Sequence, residues 1–383
     1  MKLAGIRVLD LSQYLPGPYL CRMMADHGAE VVKVESPAGE PSRKMGTPVA
    51  GQTVYFRETN RNKKSLVLDL KTAGDREALL ALAARSDVLV ESFRPGVVDR
   101  LGIGYAALRE RAPGLVYCSL SAFGQTGPLR ARPAHDLSIQ AMSGYLPLGC
   151  APDGTPVPPG VPAADMAGAL TALAGILMAL LRRTQTGQGD YVDVAMLDSL
   201  LAWTPHFADR VFVHGKAPEP ASERWWGGTA FYGVYRTSDG GHVTLGGSEP
   251  KFVENLLGAL GRPDLIEIAK QGPGPHQAPV KAFLTEVFAS RSRDAWTEWF
   301  AQRDVCYAPV CDLREAYGDA QVRARRMVLD DPDAGGRLGT PIKFAAEPGR
   351  ESGRAPDFGE HTKEILESLG HAAGAGTKQA GRA

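Results

Sequence analysis

Strands and helices alternate through the first third of this chain, and that alternation narrows the possible folds more than any other feature of the sequence. Gly5–Asp10 (GIRVLD) reads as a strand. Pro16-Gly-Pro18 opens a helix that carries Tyr19, Leu20, Met23 and Met24 on one face and stops at Gly28. Glu30–Glu35, Ser65–Leu70, Val88–Glu91 and Leu115–Leu120 read as further strands, with helices expected over about 73–85 and 105–111. Such a pattern builds a mostly parallel sheet with helices on its faces, because parallel neighbours need a long crossover between them.

The pattern changes further on. Residues 121–164 are loop-rich, a long Ala/Leu helix is expected over about 165–183, and Thr186-Gly-Gln-Gly189 turns into the strand Tyr191–Ala195, followed by a helical stretch over about 197–207. Lys216–Ala221 (KAPEPA) reads as a linker. Residues 231–236 and 242–245 then read as a β-hairpin, followed by helices near 251–260, 278–290 and 294–302. The expected fold class is α/β: a large doubly wound domain over 1–215 and 326–369, with a smaller α+β domain over 216–325. The Gly/Ala-rich stretch 370–383 is expected to be disordered.

Composition removes several function classes. The 383 residues are 44% hydrophobic and 22% charged, enough for a large core. Lys+Arg and Asp+Glu both number 43, so the basic excess of a nucleic-acid binder is missing. The longest apolar run, Ala167–Leu181, falls short of the ~20 residues needed to cross a bilayer, and the N-terminus has no signal-peptide core. Neither nucleic acid nor membrane is therefore expected as a partner. Five scattered cysteines, with no zinc-ligand spacing, read as reduced thiols in a cytoplasmic protein without a metal site.

Single motifs leave the chemistry open. Glu35 at the end of the second strand imitates a dinucleotide fold, but Ser12–Pro18 (SQYLPGP) stands where the glycine fingerprint belongs. Arg57, Arg61, Lys63, Lys64, Lys71, Arg94 and Arg100 cluster in sequence, either as a solvated surface or as a seat for a ligand with phosphates. Arg94 is the stronger candidate, because it follows a buried-looking strand, and ligands of parallel sheets collect at strand carboxyl ends. His135-Asp136 precedes a helical stretch, Asp165 stands at the start of the Ala/Leu helix, and Glu249 ends the hairpin. Capping would explain each acid as well as catalysis does.

Taken in order, the motifs form a familiar series. Leu9-Asp-Leu11 with Pro16-Gly-Pro18, Ala29–Val34, Lys64–Lys71, Asp87–Gly96 (DVLVESFRPG), Gly124–Pro128, His135-Asp136, Ala164-Asp165, Thr186–Gly189, Val192–Ala195 and Glu249–Phe252 cover nearly the whole chain. The sequence resembles the class III CoA-transferase superfamily (CaiB/BaiF type) and, within it, most of all the α-methylacyl-CoA racemases.

The resemblance implies an interlocked homodimer, with each active site using the large domain of one chain and the small domain of the other. It implies an acyl-CoA substrate, with CoA held by Leu68, Asp69, Leu70, Lys71, Phe93, Arg94, Arg100 and Asp136, and no separate cofactor. Many relatives carry an arginine where this chain has Ser36; Lys33, Arg61 or Lys64 is expected to replace it. The implied catalytic residues are His135, Asp165 and Glu249.

In the racemase branch the α-carbon of a 2-methylacyl-CoA is epimerised through an enolate. His135, oriented by Glu249, and Asp165 exchange protons on opposite faces, and backbone N–H groups at the start of the Ala/Leu helix would hold the enolate oxygen. The alternative in the same superfamily is a CoA-transferase, in which Asp165 attacks the acyl-CoA and passes through an anhydride and an aspartyl-CoA thioester. Trp225, Trp226, Phe231 and Tyr232 belong either to the core of the small domain or to an acyl pocket.

Overall fold

The computed structural model describes residues 1–151, 153–219 and 222–370. The expected disordered tail lies, beyond Gly370, outside the described residues, as do the last two residues of the expected linker. The chain divides into two compact units, Met1–Trp203 with the stretch from Ala320 onward, and Thr204–Asp319. The divisions expected from sequence stand at 215/216 and 325/326.

The first unit is a six-stranded parallel sheet: β1 Arg7–Asp10, β2 Glu30–Glu35, β3 Lys63–Val67, β4 Val88–Glu91, β5 Val116–Ser121 and β6 Tyr191–Ala195. Their order is β3-β2-β1-β4-β5-β6, with Val8 registered against Val31 on one side and Val88 on the other. Alternate residues of the central strands feed two cores. Val8, Val31, Val88, Val90 and Cys118 face helices α1 (Pro16–Asp26) and the long helix described below. Leu9, Val32, Leu66, Leu89 and Tyr117 face the other way, with Leu79 of α3 (Ala73–Ala83), Leu108 of α4 (Tyr105–Arg111) and Ile365 of the C-terminal helix Thr362–Ser368. Helix α2, Val54–Asn60, lies between β2 and β3 in the chain. Burial on both faces explains why these strands read as apolar runs.

Two elements depart from expectation in ways that matter for function. The third strand begins at Lys63 and ends at Val67, so Leu68–Lys71 turns off the sheet instead of extending it. Lys63 enters the sheet buried because its Nζ is held by Asp10 Oδ2 (2.8 Å), Asn60 Oδ1 (2.8 Å) and the Pro18 carbonyl (2.9 Å). The Ala/Leu helix, α6, runs over Ala163–Thr186, starting before and ending after the expected bounds.

The extra length of α6 overturns the expectation about apolar runs. At 24 residues α6 is long and apolar enough, by length and composition alone, to cross a membrane. Its inner face nevertheless packs on the sheet through Ala164, Ala167, Gly168, Ala172 and Ile176. Gly168 permits this approach: a Cβ there would lie 2.9 Å from the Met196 side chain and 3.2 Å from that of Leu120. Gly187, with φ +69°, ends the helix in the left-handed conformation that glycine adopts without penalty. Helix α5, Asp136–Met142, precedes it, and α7, Met196–Leu201, follows β6.

The second unit is α+β. β7 Tyr232–Arg236 and β8 His242–Gly246 form the expected antiparallel hairpin, and β9 Tyr307–Pro309 pairs with β8. β9 has no signature in the sequence, because three residues ending in proline carry no periodicity. Helices α8 Pro250–Ala259, α9 Ala278–Phe288 and α10 Arg293–Phe300 enclose a core with Phe231, Tyr235, Leu245, Leu256, Phe288 and Trp296.

Candidate active site

A sheet of this order changes direction between β1 and β4, and open α/β sheets bind ligands outside the carboxyl ends of their strands at such a switch point. A cavity of about 210 Å³ opens at that edge. Its walls come from the segments that leave the strands: Leu11 and Gln13 after β1, Ser36 after β2, Leu68–Lys71 after β3 and Phe93 after β4. Five residues expected to hold CoA thus line one cavity. The turn that places them is fixed by the Leu68 N–H donating to the Glu35 carbonyl (2.9 Å) and the Thr72 N–H donating to the Asp69 carbonyl (2.8 Å).

Ser36 is on this rim, and none of the three expected replacements for its missing charge is available. Lys33 is buried against Glu40 (2.6 Å) and Asp10 (3.7 Å), Arg61 against Asp26 (2.7 Å), and Lys64 pairs on the surface with Glu364 (2.8 Å) and Glu30 (3.3 Å). Glu35 also borders this cavity, but its carboxylate is already engaged. It is buried, and its carboxylate takes two hydrogen bonds from Arg43 (2.7 Å each) and one from Ser65 Oγ (2.7 Å). In contrast, Lys71, Arg94 and Arg100 are exposed and have no carboxylate partner among the described residues. The Arg100 guanidinium folds back to within 3.3 Å of where a Cβ of Gly96 would sit, beside the Phe93-Arg94 loop.

That loop is set by Glu91, which lies within the Asp87–Gly96 motif but has no role assigned from sequence. Glu91 is 2% exposed at the end of β4, and its Oε2 accepts the Phe93 N–H at 2.7 Å. Burial, reinforced by the charges of Asp99 and Asp193, pushes its carboxyl up to about 7 against the pull of Ser119 and the Phe93 N–H. Ser119 in turn accepts from Gln125 Nε2 (2.6 Å), whose own N–H donates to Asp193 (3.1 Å).

His135 and Asp165 belong to the same unit. His135 is the N-terminal flanking residue of α5, exposed, with extended backbone and no capping bond. The Tyr14 ring lies 6.0 Å from the imidazole, centroid to centroid, at 87°. Asp165 is in the first turn of α6 and is half-buried. Burial, then the charge of Asp136, raises its carboxyl to about 7. Tyr55 lies within the same field: burial, then the charges of Asp165 and Glu40, push its phenol up to about 12.

Asp136 does not cap its own helix. Its Oδ1 accepts the N–H groups of Ala164 (2.8 Å) and Asp165 (3.2 Å), so it caps α6. The next donors are also taken, since Ala163 N–H donates to the Val161 carbonyl (2.9 Å) and Met166 N–H to that of Pro162 (3.1 Å). The expected oxyanion seat at this helix start is therefore absent: its donors are satisfied within the protein.

Glu249 belongs to the second unit, at the N-terminal flank of α8, where its side chain makes no cap. It is exposed, with the Arg224 guanidinium 3.8 Å away. A Cβ on Gly247 would lie 2.8 Å from both Glu249 Oε2 and Cys306 Sγ, so only glycine leaves room between them. The four aromatics divide: Phe231 is core, Trp225 is exposed, Trp226 is half-buried, and Tyr232 meets Trp225 edge-on at 5.4 Å.

The family model for CoA-transferase family III matches residues 3–362. The chain belongs to this family. It is 32% identical to the succinyl-CoA--L-malate CoA-transferase beta subunit of Chloroflexus aurantiacus, over 96% of this chain and 94% of that one. It is 33% identical to human alpha-methylacyl-CoA racemase, over 97% and 94%. A solved CAIB/BAIF family protein from Brucella suis superposes with a TM-score of 0.81 at 31% identity, covering 96% of this chain and 99% of that one. This family III chain is thus an enzyme of a group that includes CoA-transferases and a racemase.

Proposed function

We propose that this family III enzyme epimerises the α-carbon of a 2-methylacyl-CoA by moving protons between His135 and Asp165. The observation that carries this reading is the Asp165 carboxyl, which burial and Asp136 raise to about 7. Inverting a centre through an enolate needs one group that takes a proton and another, on the opposite face, that gives one. A carboxyl titrating near neutrality is populated in both forms, which suits either direction of the reaction. In the forward direction the His135 imidazole removes the α-proton and protonated Asp165 delivers its own to the other face. The reverse direction exchanges the roles. His135 keeps one proton more and Asp165 one fewer until solvent resets them.

The rest of the reading follows the resemblance. CoA would sit over the turn Leu68–Lys71 and Phe93, with Lys71, Arg94 and Arg100 supplying the positive charge for its phosphates. Asp136 is a positioning group for Asp165 rather than a ligand for CoA. Glu249 would reach His135 in an interlocked homodimer, lent by the second copy. Support for a second copy comes from the outer face of α6, where Leu170, Leu177, Met178 and Leu181 are exposed. Coenzyme A enters only as part of the substrate. Free thiols at all five cysteines fit a cytoplasmic setting.

A CoA-transferase is the second reading, favoured by the names of most similar proteins. There Asp165 attacks as the ionised nucleophile, and its raised carboxyl opposes that role at neutral pH. Hydroxylamine separates the two. The proton-transfer reading predicts that Asp165 stays unmodified during turnover of acyl-CoA. An Asp165 hydroxamate found by mass spectrometry would reverse the choice.

A further inference from the structure

We propose that Tyr14 is a positioning residue for His135, holding the imidazole at a fixed angle through a left-handed backbone anchored on a buried ion pair. The inference rests on the proton-transfer reading, since it assigns His135 a geometry worth holding. Backbone, anchor, ring and imidazole each support it.

Tyr14 has φ +65°, a region that a bulky residue rarely enters and that persists only where the surroundings impose it. The surroundings do impose it. The Tyr14 N–H donates to Glu40 Oε1 at 2.8 Å, and Glu40 Oε2 pairs with Lys33 Nζ at 2.6 Å. Lys33 Nζ also donates to the Ser12 carbonyl, two residues before Tyr14, and Ser12 is tied by its N–H to Asp10 Oδ1 at 3.0 Å. The side chains of Lys33 and Glu40 are each 1% exposed. A buried ion pair is a poor source of stability compared with apolar packing. Here it fixes both ends of the loop that carries Tyr14.

The ring itself is not core. Tyr14 is 41% exposed, and its one ring neighbour among the described residues is His135, perpendicular to it. Within its own chain His135 has little else to hold it. Its backbone is extended, it is exposed, and its imidazole makes no hydrogen bond among the described residues. A phenol packed at right angles restricts the imidazole's rotation, and an aromatic ring tolerates the imidazolium that forms when the α-proton is taken. Sequence order hides the pairing, because Tyr14 belongs to the loop after β1 and His135 to the loop after β5.

The test uses the full-length enzyme with Tyr14→Ala, Tyr14→Gly, Tyr14→Phe and His135→Ala. Tyr14→Gly guards against misfolding, because glycine accepts positive φ. Deuterium uptake at the α-carbon from heavy water is followed separately for each epimer of a 2-methylacyl-CoA. We expect Tyr14→Ala and Tyr14→Gly to lower kcat about tenfold or more with little change in KM, as a misplaced base does. Uptake from the epimer whose proton faces His135 should fall more than uptake from the other. Tyr14→Phe should recover most of the rate. Folded Tyr14→Gly protein with unchanged kcat, or with both epimers slowed equally, overturns the inference. If His135→Ala is inactive in those cases, only the Tyr14 assignment falls. If His135→Ala keeps full activity, the proton-transfer reading falls and takes this inference with it.

Discussion

The carboxylate of Asp136 accepts the backbone N–H groups of both Ala164 and Asp165, so one acid caps the helix on which the other is mounted. The same interaction has two consequences. It fixes the first turn of α6, and it places a negative charge beside Asp165 that favours the protonated carboxyl.

These consequences separate by substitution. Asp136→Asn keeps an oxygen acceptor and removes the charge, so the Asp165 titration should move down from about 7. The limb of the pH–rate profile assigned to Asp165 should follow it to lower pH. Asp136→Ala removes the cap as well and should cost about 1 kcal/mol of stability in urea unfolding. A limb that stays in place in Asp136→Asn would show that burial alone raises Asp165.

Glu91 predicts a stability effect with a definite sign. Its carboxyl is raised from 4.5 to about 7, so the folded state holds the proton more tightly than the unfolded chain. Its contribution is therefore complete below about pH 4.5 and fades as pH rises through about 7. Glu91→Gln keeps an oxygen acceptor for the Phe93 N–H and has no charge to desolvate. Above pH 7 the variant should be more stable than wild type by about 1–3 kcal/mol, and the difference should shrink toward pH 5. Thermal melts across pH 5–9 check this; a pH-independent difference would contradict it.

The three cations without a carboxylate partner among the described residues predict a binding effect without a chemical one. Replacing Lys71, Arg94 or Arg100 by Ala should raise KM for acyl-CoA about tenfold for each phosphate interaction removed, since a charge-assisted hydrogen bond contributes about 1.5–3 kcal/mol. The rate at saturation should change little. Lys64→Ala, at a surface pair, should leave KM unchanged. A KM effect at Lys64 rather than at these three would move the CoA seat elsewhere.

Lys33 predicts a large loss of a different kind. Lys33→Ala leaves Glu40 without its ion-pair partner in the interior, which should cost about 3–5 kcal/mol. Lys33→Met with Glu40→Leu removes both charges and should recover much of that stability while still lowering activity, because Tyr14 loses its anchor. Equal stability of the single and double variants would argue against this coupling.

The sheet is legible in the sequence because its strands and crossover helices alternate with clear periodicity; strand β4 at Val88–Glu91 matches its expected bounds to the residue. Burial of charge is not legible. Lys33, Lys63 and Arg61 look like surface cations in sequence, yet each meets a carboxylate from a distant segment inside the first unit. Burial takes two of the three replacements suggested for a charge at Ser36, Lys33 and Arg61, and a surface pair takes Lys64. Asp165 and His135 stand out through the motifs around them. Tyr14, Tyr55 and Glu91 gain no role from the sequence, because their roles depend on packing across loops or on desolvation, which no local pattern records. The start of α6 misleads in the same way. Its donors look free in sequence, and only the fold brings Asp136 to them.

Proton transfer at carbon is the central step. The most direct measurement is NMR of the α-position of an (R)- or (S)-2-methylacyl-CoA incubated with the enzyme in heavy water, with no carboxylic acid added. The expected result is deuterium uptake and loss of configuration, with loss of configuration abolished in Asp165→Asn while the epimer whose proton faces His135 still exchanges with retention. Retention of the α-proton, with CoA moving to a carboxylic acid once one is supplied, would contradict it.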